Sequence, residues 1–85
     1  MSELDKEFES SVEIAKLHVV NFSNDQKLNL YKYYKQLTIG DNNTNKPSFL
    51  NLKAKEKWKA WDSVKGVSKE DATKEYIKLV KKYTE

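Results

Sequence analysis

The chain has 85 residues, of which 38% are hydrophobic and 34% charged, with a net charge of +3. This length predicts one domain, residues 1–85, that buries roughly 60–65% of its unfolded surface. The absence of cysteine and the single His18 exclude a disulfide framework, a thiol nucleophile and a Cys- or His-rich metal site, and the longest apolar runs, such as Val19-Val20, are too short for a signal peptide or a membrane span.

The first predicted helix begins after Ser2, whose side chain caps the helix with Asp5 three residues further on, and it ends near His18. Acidic residues in its first turn suit the positive end of the helix dipole. Lys16 lies beside the inward stripe near the C-terminal end. That stripe consists of Leu4, Phe8, Ser11, Val12 and Ala15.

The second predicted helix spans about Asn24 to Ile39, between a Ser23–Gln26 capping box and Gly40. Helical spacing puts one set of residues on a core face: Leu30, Tyr33, Tyr34 and Leu37. A second face carries Leu28, Tyr31 and Lys35, a mixture that suits an amphiphilic anionic ligand. The same residues also fit a plain amphipathic helix, because Tyr and Lys keep their polar ends in water while burying apolar stems.

A polar, turn-rich connection over residues 41–47 leads to a third predicted helix, from about Leu52 to Lys65, which Gly66 ends. The inward stripe of this helix is Ala54, Trp58 and Trp61. Lys53 and Lys57 are four residues apart and share a face beside this stripe, whereas Lys55 and Lys59 are predicted to point to solvent. Lys53 and Lys57 fit either a bound anion or a merely solubilising surface.

The fourth predicted helix follows a Ser68–Asp71 cap and shows the clearest apolar stripe in the chain. The stripe is Ala72, Tyr76, Leu79, Val80 and Tyr83. The sequence lacks strand alternation, internal repeats and low-complexity runs. It therefore predicts an all-α four-helix bundle.

Binding is the function class that these residues favour. The sequence contains no Ser-His-Asp set, HExxH motif or glycine-rich phosphate loop, so we do not expect an enzyme. Residues 31–85 carry thirteen Lys against seven acids, and lysine suits phosphate. A nucleic acid, a nucleotide-bearing small ligand and a protein partner are all compatible with a basic helical domain rich in aromatics. The absence of arginine argues mildly against base-specific DNA reading.

Short segments distributed over the whole chain carry a family resemblance. They are Tyr31-Lys32-Tyr33-Tyr34-Lys35-Gln36, Thr38-Ile39-Gly40-Asp41, Pro47, Lys53-Ala54-Lys55, Lys57-Trp58, Ala60-Trp61, Ser68-Lys69-Glu70-Asp71-Ala72 and Tyr76-Ile77. Together they resemble the acyl-CoA-binding protein family. The resemblance implies an up-down-down-up bundle that carries medium- to long-chain acyl-CoA esters in the cytoplasm without catalysing a reaction.

The resemblance also implies the ligand-binding residues. They are Lys16, Tyr31, Lys32, Tyr33, Tyr34, Lys35, Lys53, Lys57 and Tyr76. Within this set Tyr31, Tyr34, Lys35 and Lys57 are expected to hold the adenine and the 3′-phosphate of coenzyme A. Leu28 and the apolar residues of the first helix are predicted from their positions as acyl-chain contacts.

The expected partner is long-chain acyl-CoA, with no cofactor and no metal. We expect a monomer that has no nucleic-acid partner and no stable membrane insertion but makes transient contact with membranes. The first helix and the Val19–Phe22 link depart from the family pattern, because this link replaces a segment that is usually richer in lysine and proline. The resemblance therefore does not fix the preferred acyl-chain length.

Overall fold

The computed structural model describes residues 2–85 and confirms an all-α fold. A short 3₁₀ turn, Val19–Asn21, joins the first two helices. The helices are α1 (Glu3–His18), α2 (Asn24–Thr38), α3 (Leu52–Asp62) and α4 (Lys69–Thr84).

Serine side chains cap three of the four helices, as the sequence predicts. Ser2 Oγ accepts the backbone N–H of Asp5, and Ser68 Oγ accepts that of Asp71. At α2 the capping box is complete, because Ser23 Oγ accepts the Gln26 N–H while the Gln26 side chain accepts the Ser23 N–H. These bonds satisfy backbone donors that the first turn of a helix leaves without partners.

The ends of the helices differ from prediction at one place. Gly40 follows α2 with a φ of 108°, a left-handed conformation that favours glycine. The third helix ends at Asp62, so the predicted end at Lys65 was wrong. Beyond Asp62 the chain tightens, since Val64 N–H donates to the Trp61 carbonyl and Lys65 N–H to the Asp62 carbonyl, both over three residues. Such bonds close turns and stop the α-helical pattern.

Ring contacts establish the direction of α4 relative to α1 and α2. The ring centroid of Phe8 lies 5.4 Å from that of Tyr76, and the ring centroid of Phe22, just beyond α1, lies 6.0 Å from that of Tyr83. Because the later residue of each pair contacts the later residue of the other, α1 and α4 run in the same direction. On α2, Asn29 donates to the hydroxyl of Tyr83, and the later residue Tyr34 has its ring centroid 6.0 Å from that of the earlier Tyr76. Moving forward along α2 therefore means moving backward along α4, so these two helices are antiparallel.

Two contacts between α2 and α3 complete the topology. Lys57 lies over Tyr31, and Lys35 lies over Trp61, one turn further along each helix. The two helices are therefore parallel, which confirms the up-down-down-up order. As a consequence, the end of α1, the start of α2, the start of α3 and the end of α4 share one end of the bundle, which we call the upper end.

The core lies where α1 and α2 pack on α4. Its buried residues are Ala15, Phe22, Leu30, Tyr76 and Val80, and the partly buried residues around them are Phe8, Val12, Tyr33, Leu37, Leu79 and Tyr83. The predicted stripe of α4 therefore lies in or against the core, as do Phe8, Val12 and Ala15 from the predicted stripe of α1. Ile77, which the stripe of α4 omitted, is also buried.

A buried glutamine fixes the lower end of the bundle. Gln36 is 2% exposed, and its amide nitrogen donates to the Asp41 carboxylate and to the Val67 carbonyl, at 2.8 Å each. The same Asp41 oxygen accepts the Gly66 N–H at 2.8 Å. These bonds connect the end of α2 to the turn between α3 and α4 at the lower end of the bundle.

Candidate ligand-binding groove

A groove of about 530 Å³ opens between the helices toward the upper end of the bundle. We call it the central groove, and its volume lies in the range of small-molecule sites. Its apolar lining consists of Val12, Ala15, Val19, Phe22, Leu28 and Leu30. Its polar and aromatic lining consists of Lys16, Lys27, Tyr31, Tyr34, Lys57 and Tyr76.

Helical spacing explains why these residues meet. On α2, Lys27, Tyr31 and Tyr34 follow one another at intervals of four and three residues and form one stripe. On α1, Val12 and Lys16 are four residues apart and form the facing wall. Most cations and tyrosines of the groove therefore come from α2 and α3, and its α1 wall is apolar apart from Lys16.

Tyr34 and Tyr76, which line the central groove, pack with Phe8 in a cluster of three aromatic rings. Phe8 lies 5.4 Å from Tyr76, Tyr34 lies 6.0 Å from Tyr76, and Phe8 lies 6.2 Å from Tyr34. Tyr76 is 5% exposed, and its burial, followed by the neighbouring Tyr34, raises the pKa of its phenol. Its hydroxyl therefore stays protonated at neutral pH and can act as a hydrogen-bond donor.

Two lysines bridge α2 and α3 in a reciprocal way. Lys57 Nζ, from α3, lies 5.6 Å from the ring centroid of Tyr31 on α2. Lys35 Nζ, from α2, lies 4.9 Å from the ring centroid of Trp61 on α3. Both contacts are within the range of cation–π attraction. The junction of the two helices therefore carries one cation from each, one turn apart.

The structure brings five of the nine sequence-predicted site residues together. Lys16, Tyr31, Tyr34, Lys57 and Tyr76 all line the central groove. Tyr34 was assigned by spacing to the core face of α2, but it is 41% exposed, and its ring forms groove wall instead of core. A phenol at this position can offer its face to a ligand and its hydroxyl to water.

The other four predicted residues lie outside the groove lining. Lys35 lies at the α2–α3 junction described above, and Lys53 is exposed one turn before Lys57. Lys32 borders a separate groove between α2 and α3, with its Nζ 5.3 Å from the Tyr33 ring. Tyr33 packs against the core, where burial, Glu75 and Tyr83, in that order, raise its pKa.

Several lining residues were not predicted as ligand contacts. Lys27 precedes Tyr31 by four residues, so the same spacing that selected Tyr31 could have identified it. Val19 and Phe22 lie in the connection between α1 and α2, where no helical period applies, and only the fold shows that they reach the groove. Leu28, Val12 and Ala15 line the groove as expected from their positions.

The prediction for Lys55 was wrong. It was expected to point to solvent, but Lys55 is partly buried, while Lys59 on the same helix is exposed. Lys59 borders the second groove between α2 and α3, away from Lys57. It is therefore the better example of a solvated lysine on α3.

Residues 2–85 also lack the features of a metal site and of a membrane-spanning helix. Within this range no group of three or more His, Cys, Asp or Glu side chains could hold a metal ion. None of the helices in the described part of the chain has the length and apolar character needed to cross a membrane. The arrangement described here can bind a ligand that has an anionic part and an apolar part.

The sequence model of the family described as acyl CoA binding protein matches residues 5–80. Acyl-CoA-binding protein homolog 1 of Caenorhabditis elegans is 55% identical over 58 residues, which cover 68% of this chain and 67% of that protein. Acyl-CoA-binding domain-containing protein 2 of Oryza sativa subsp. japonica is 46% identical over 82 residues, which cover 96% of this chain and 90% of that protein.

Solved structures show the same fold. The crystal structure of Oryza sativa Acyl-CoA-Binding Protein 2 superposes with a TM-score of 0.88 at 46% identity, covering 94% of this chain and 89% of that one. The solution structure of acyl CoA binding protein from Babesia bovis T2Bo gives a TM-score of 0.75 at 41% identity, covering 96% and 93%. The residues that the family model matches include every residue lining the central groove.

Proposed function

The chain belongs to the acyl-CoA-binding protein family, and we propose that it binds medium- to long-chain acyl-CoA esters in the central groove and carries them in the cytoplasm as a monomer. The observation that supports this function most directly is the division of the groove into a cationic, aromatic side and an apolar side. An acyl-CoA ester has the same two parts, so each side of the groove has a counterpart on the ligand.

The cationic side suits the coenzyme A head, which carries roughly four negative charges near neutral pH. Lys16 and Lys57 line the groove, and Lys35 and Lys53 lie on the same α2 and α3 surface nearby. We assign the adenine to the rings of Tyr31 and Tyr34, because aromatic faces stack on bases. Tyr76 completes the site from α4 with a protonated hydroxyl.

Lys32 and Tyr33, which the resemblance also assigns to the ligand, lie outside the central groove. Lys32 borders the second groove and Tyr33 packs on the core. We retain both as contacts of the coenzyme A head that depend on rearrangement of the Tyr31–Lys35 segment when ligand binds. Substituting them should therefore affect binding less than substituting Tyr31 or Lys57.

The apolar side suits the acyl chain. Val12, Ala15 and Leu28 offer aliphatic surface, and each buried methylene contributes about 0.8 kcal/mol. Two further carbons in the chain should therefore tighten binding by about 1.6 kcal/mol, roughly fifteenfold, until the groove is filled. We propose binding and release without a catalytic step, since the lining offers no nucleophile paired with a base.

Titration calorimetry with octanoyl-, dodecanoyl- and hexadecanoyl-CoA, free coenzyme A and free hexadecanoic acid tests the function. We expect the esters to bind far more tightly than either fragment, with affinity rising along the series. Equal affinity for hexadecanoyl-CoA and hexadecanoic acid would contradict the proposal. An oligonucleotide that competes with hexadecanoyl-CoA at physiological salt would favour a nucleic-acid site instead.

A further inference from the structure

The most exposed large apolar side chains gather at the upper end of the bundle. Among residues 2–85, five such side chains are between 69% and 84% exposed, and the next, Ile39, is 56% exposed. The five are Leu17, Val20, Phe49, Leu50 and Leu52. We call them the apolar rim. Exposed apolar residues that cluster in this way mark an interaction surface more often than isolated ones do.

The topology places the apolar rim at the end of the bundle toward which the central groove lies. Leu17 and Val20 lie at the end of α1 and in the 3₁₀ turn, beside Val19, which lines the groove. Leu52 is the first residue of α3 and Phe49 and Leu50 lie just before it; α3 is parallel to α2, so its start is at the same end. The rim therefore shares the upper end of the bundle with the groove that holds the ligand in the proposed function.

The same end of the bundle is predominantly basic. The terminal helical turns there carry six lysines against Asp25 and the capping Glu85. The lysines are Lys16, Lys27, Lys53, Lys55, Lys81 and Lys82. Lys16 also contacts Glu13 at 3.5 Å, with both side chains largely exposed, so this pair offsets little of the field. Each lysine near an anionic lipid surface strengthens the attraction to that surface.

We propose that the apolar rim docks onto the surface of a bilayer containing anionic lipids, with the mouth of the central groove facing the membrane. The rim side chains would enter the interface while the surrounding lysines contact lipid phosphates. A bilayer explains both features, because it covers apolar side chains and also accepts an acyl chain leaving the groove. The inference rests on the proposed function, since it gives the groove mouth a lipid to release or take up.

Sedimentation with vesicles tests the surface. The variant carries Val20→Ser, Phe49→Ser and Leu50→Ser together, all at highly exposed positions, so the fold should persist by circular dichroism. The matched control is Ile39→Ser, an exposed apolar residue at the lower end. On phosphatidylcholine vesicles with about one third phosphatidylserine, we expect the triple variant to bind at least about tenfold more weakly than wild type and the control to bind equally.

Transfer of hexadecanoyl-CoA from loaded protein to the same vesicles gives a second measurement. We expect the rate to rise with vesicle concentration for wild type and the control, and to be nearly independent of it for the triple variant. Equal vesicle binding by wild type and triple variant would overturn the docking surface. A lipid-free dimer that only the triple variant loses, seen by light scattering, would overturn it in favour of self-association.

Calorimetry without vesicles separates the two proposals. Wild type and triple variant should bind hexadecanoyl-CoA equally, because no rim residue in the triple variant lines the groove. If both bind the ester but neither sediments with vesicles, the docking surface fails while the function stands. If wild type sediments with vesicles but neither wild type nor the triple variant binds hexadecanoyl-CoA, the proposed function is wrong, and the rim binds membranes for a reason unrelated to acyl-CoA.

Discussion

Lys57 Nζ on α3 lies 5.6 Å from the ring centroid of Tyr31 on α2, so a cation and an aromatic face from two parallel helices meet at the edge of the central groove. Lys35 reaches in the opposite direction, to within 4.9 Å of Trp61. Aromatic contacts of this kind hold long lysine side chains in place before a ligand arrives. Ordering lysines in advance reduces the entropy that binding would otherwise lose.

We predict that Lys35 and Lys57 act as one clamp on the 3′-phosphate of coenzyme A. Lys35→Ala and Lys57→Ala should each weaken hexadecanoyl-CoA binding by about 1.5–3 kcal/mol, the range for hydrogen bonds to charged groups. The double variant should depart from additivity by about 0.5–3 kcal/mol, because both residues share one partner. Titration calorimetry on the four proteins of the double-mutant cycle measures both quantities.

Two controls isolate the clamp. Lys59→Ala changes an exposed lysine on the same helix that borders the other groove, and it should leave affinity unchanged. Dephospho-coenzyme A esters lack the 3′-phosphate, so they should bind wild type weakly and be indifferent to Lys35→Ala and Lys57→Ala. If both alanine variants weaken the dephospho ester as much as the full ester, the clamp is wrong.

Binding of the acyl chain should depend on Leu28, which is partly buried in the wall of the central groove. Leu28→Ser removes aliphatic surface there, so we expect hexadecanoyl-CoA to bind about 1 kcal/mol more weakly, roughly fivefold. Acetyl-CoA, whose chain is too short to use that surface, should bind the variant and wild type alike. A uniform loss for both esters would show that Leu28 supports the fold or the head site, not the chain.

Stability should depend on pH through Asp41. Its carboxylate accepts the Gly66 N–H and then the Gln36 amide, and these bonds lower its pKa in the folded state. A carboxyl group with a lowered folded-state pKa stabilises the protein above its unfolded pKa, about 3.9, and loses that contribution as pH falls through the folded value. Asp41→Asn should therefore be less stable than wild type at neutral pH and nearly equal to it once the pH has fallen below the folded-state pKa of Asp41.

Urea unfolding of wild type and Asp41→Asn at neutral and acidic pH measures this difference. Ser63→Ala provides a control in the same turn region, since Ser63 Oγ donates only to the Ala60 carbonyl and does not titrate. Its effect on stability should not vary with pH. If the stability difference between wild type and Asp41→Asn is the same in acid as at neutral pH, the prediction is wrong. The bonds from the Gly66 N–H and the Gln36 amide would then not depend on the charge of the carboxylate.

The sequence by itself determined the elements whose signals are local. Ser2, Ser23 and Ser68 cap helices where their spacing predicts, because a cap needs only a side-chain oxygen and a backbone N–H three residues away. The apolar stripes of α1 and α4 were also predictable, since burial follows the helical period. The family resemblance rests on such local segments, and five of the ligand-binding residues that it implies line the groove: Lys16, Tyr31, Tyr34, Lys57 and Tyr76.

Only the tertiary structure decided the features that depend on how helices pack. Tyr34 forms groove wall and Gln36 is buried beside Val67, because contacts between helices, and not the period within α2, fix which part of each face is covered. The Asp41–Gly66 bond is a further example, since it joins residues 25 apart. The apolar rim likewise exists only once parallel α2 and α3 bring Val20 and Phe49 to one end of the bundle. Spacing within a helix cannot report such relationships, because they join segments that are distant in the chain.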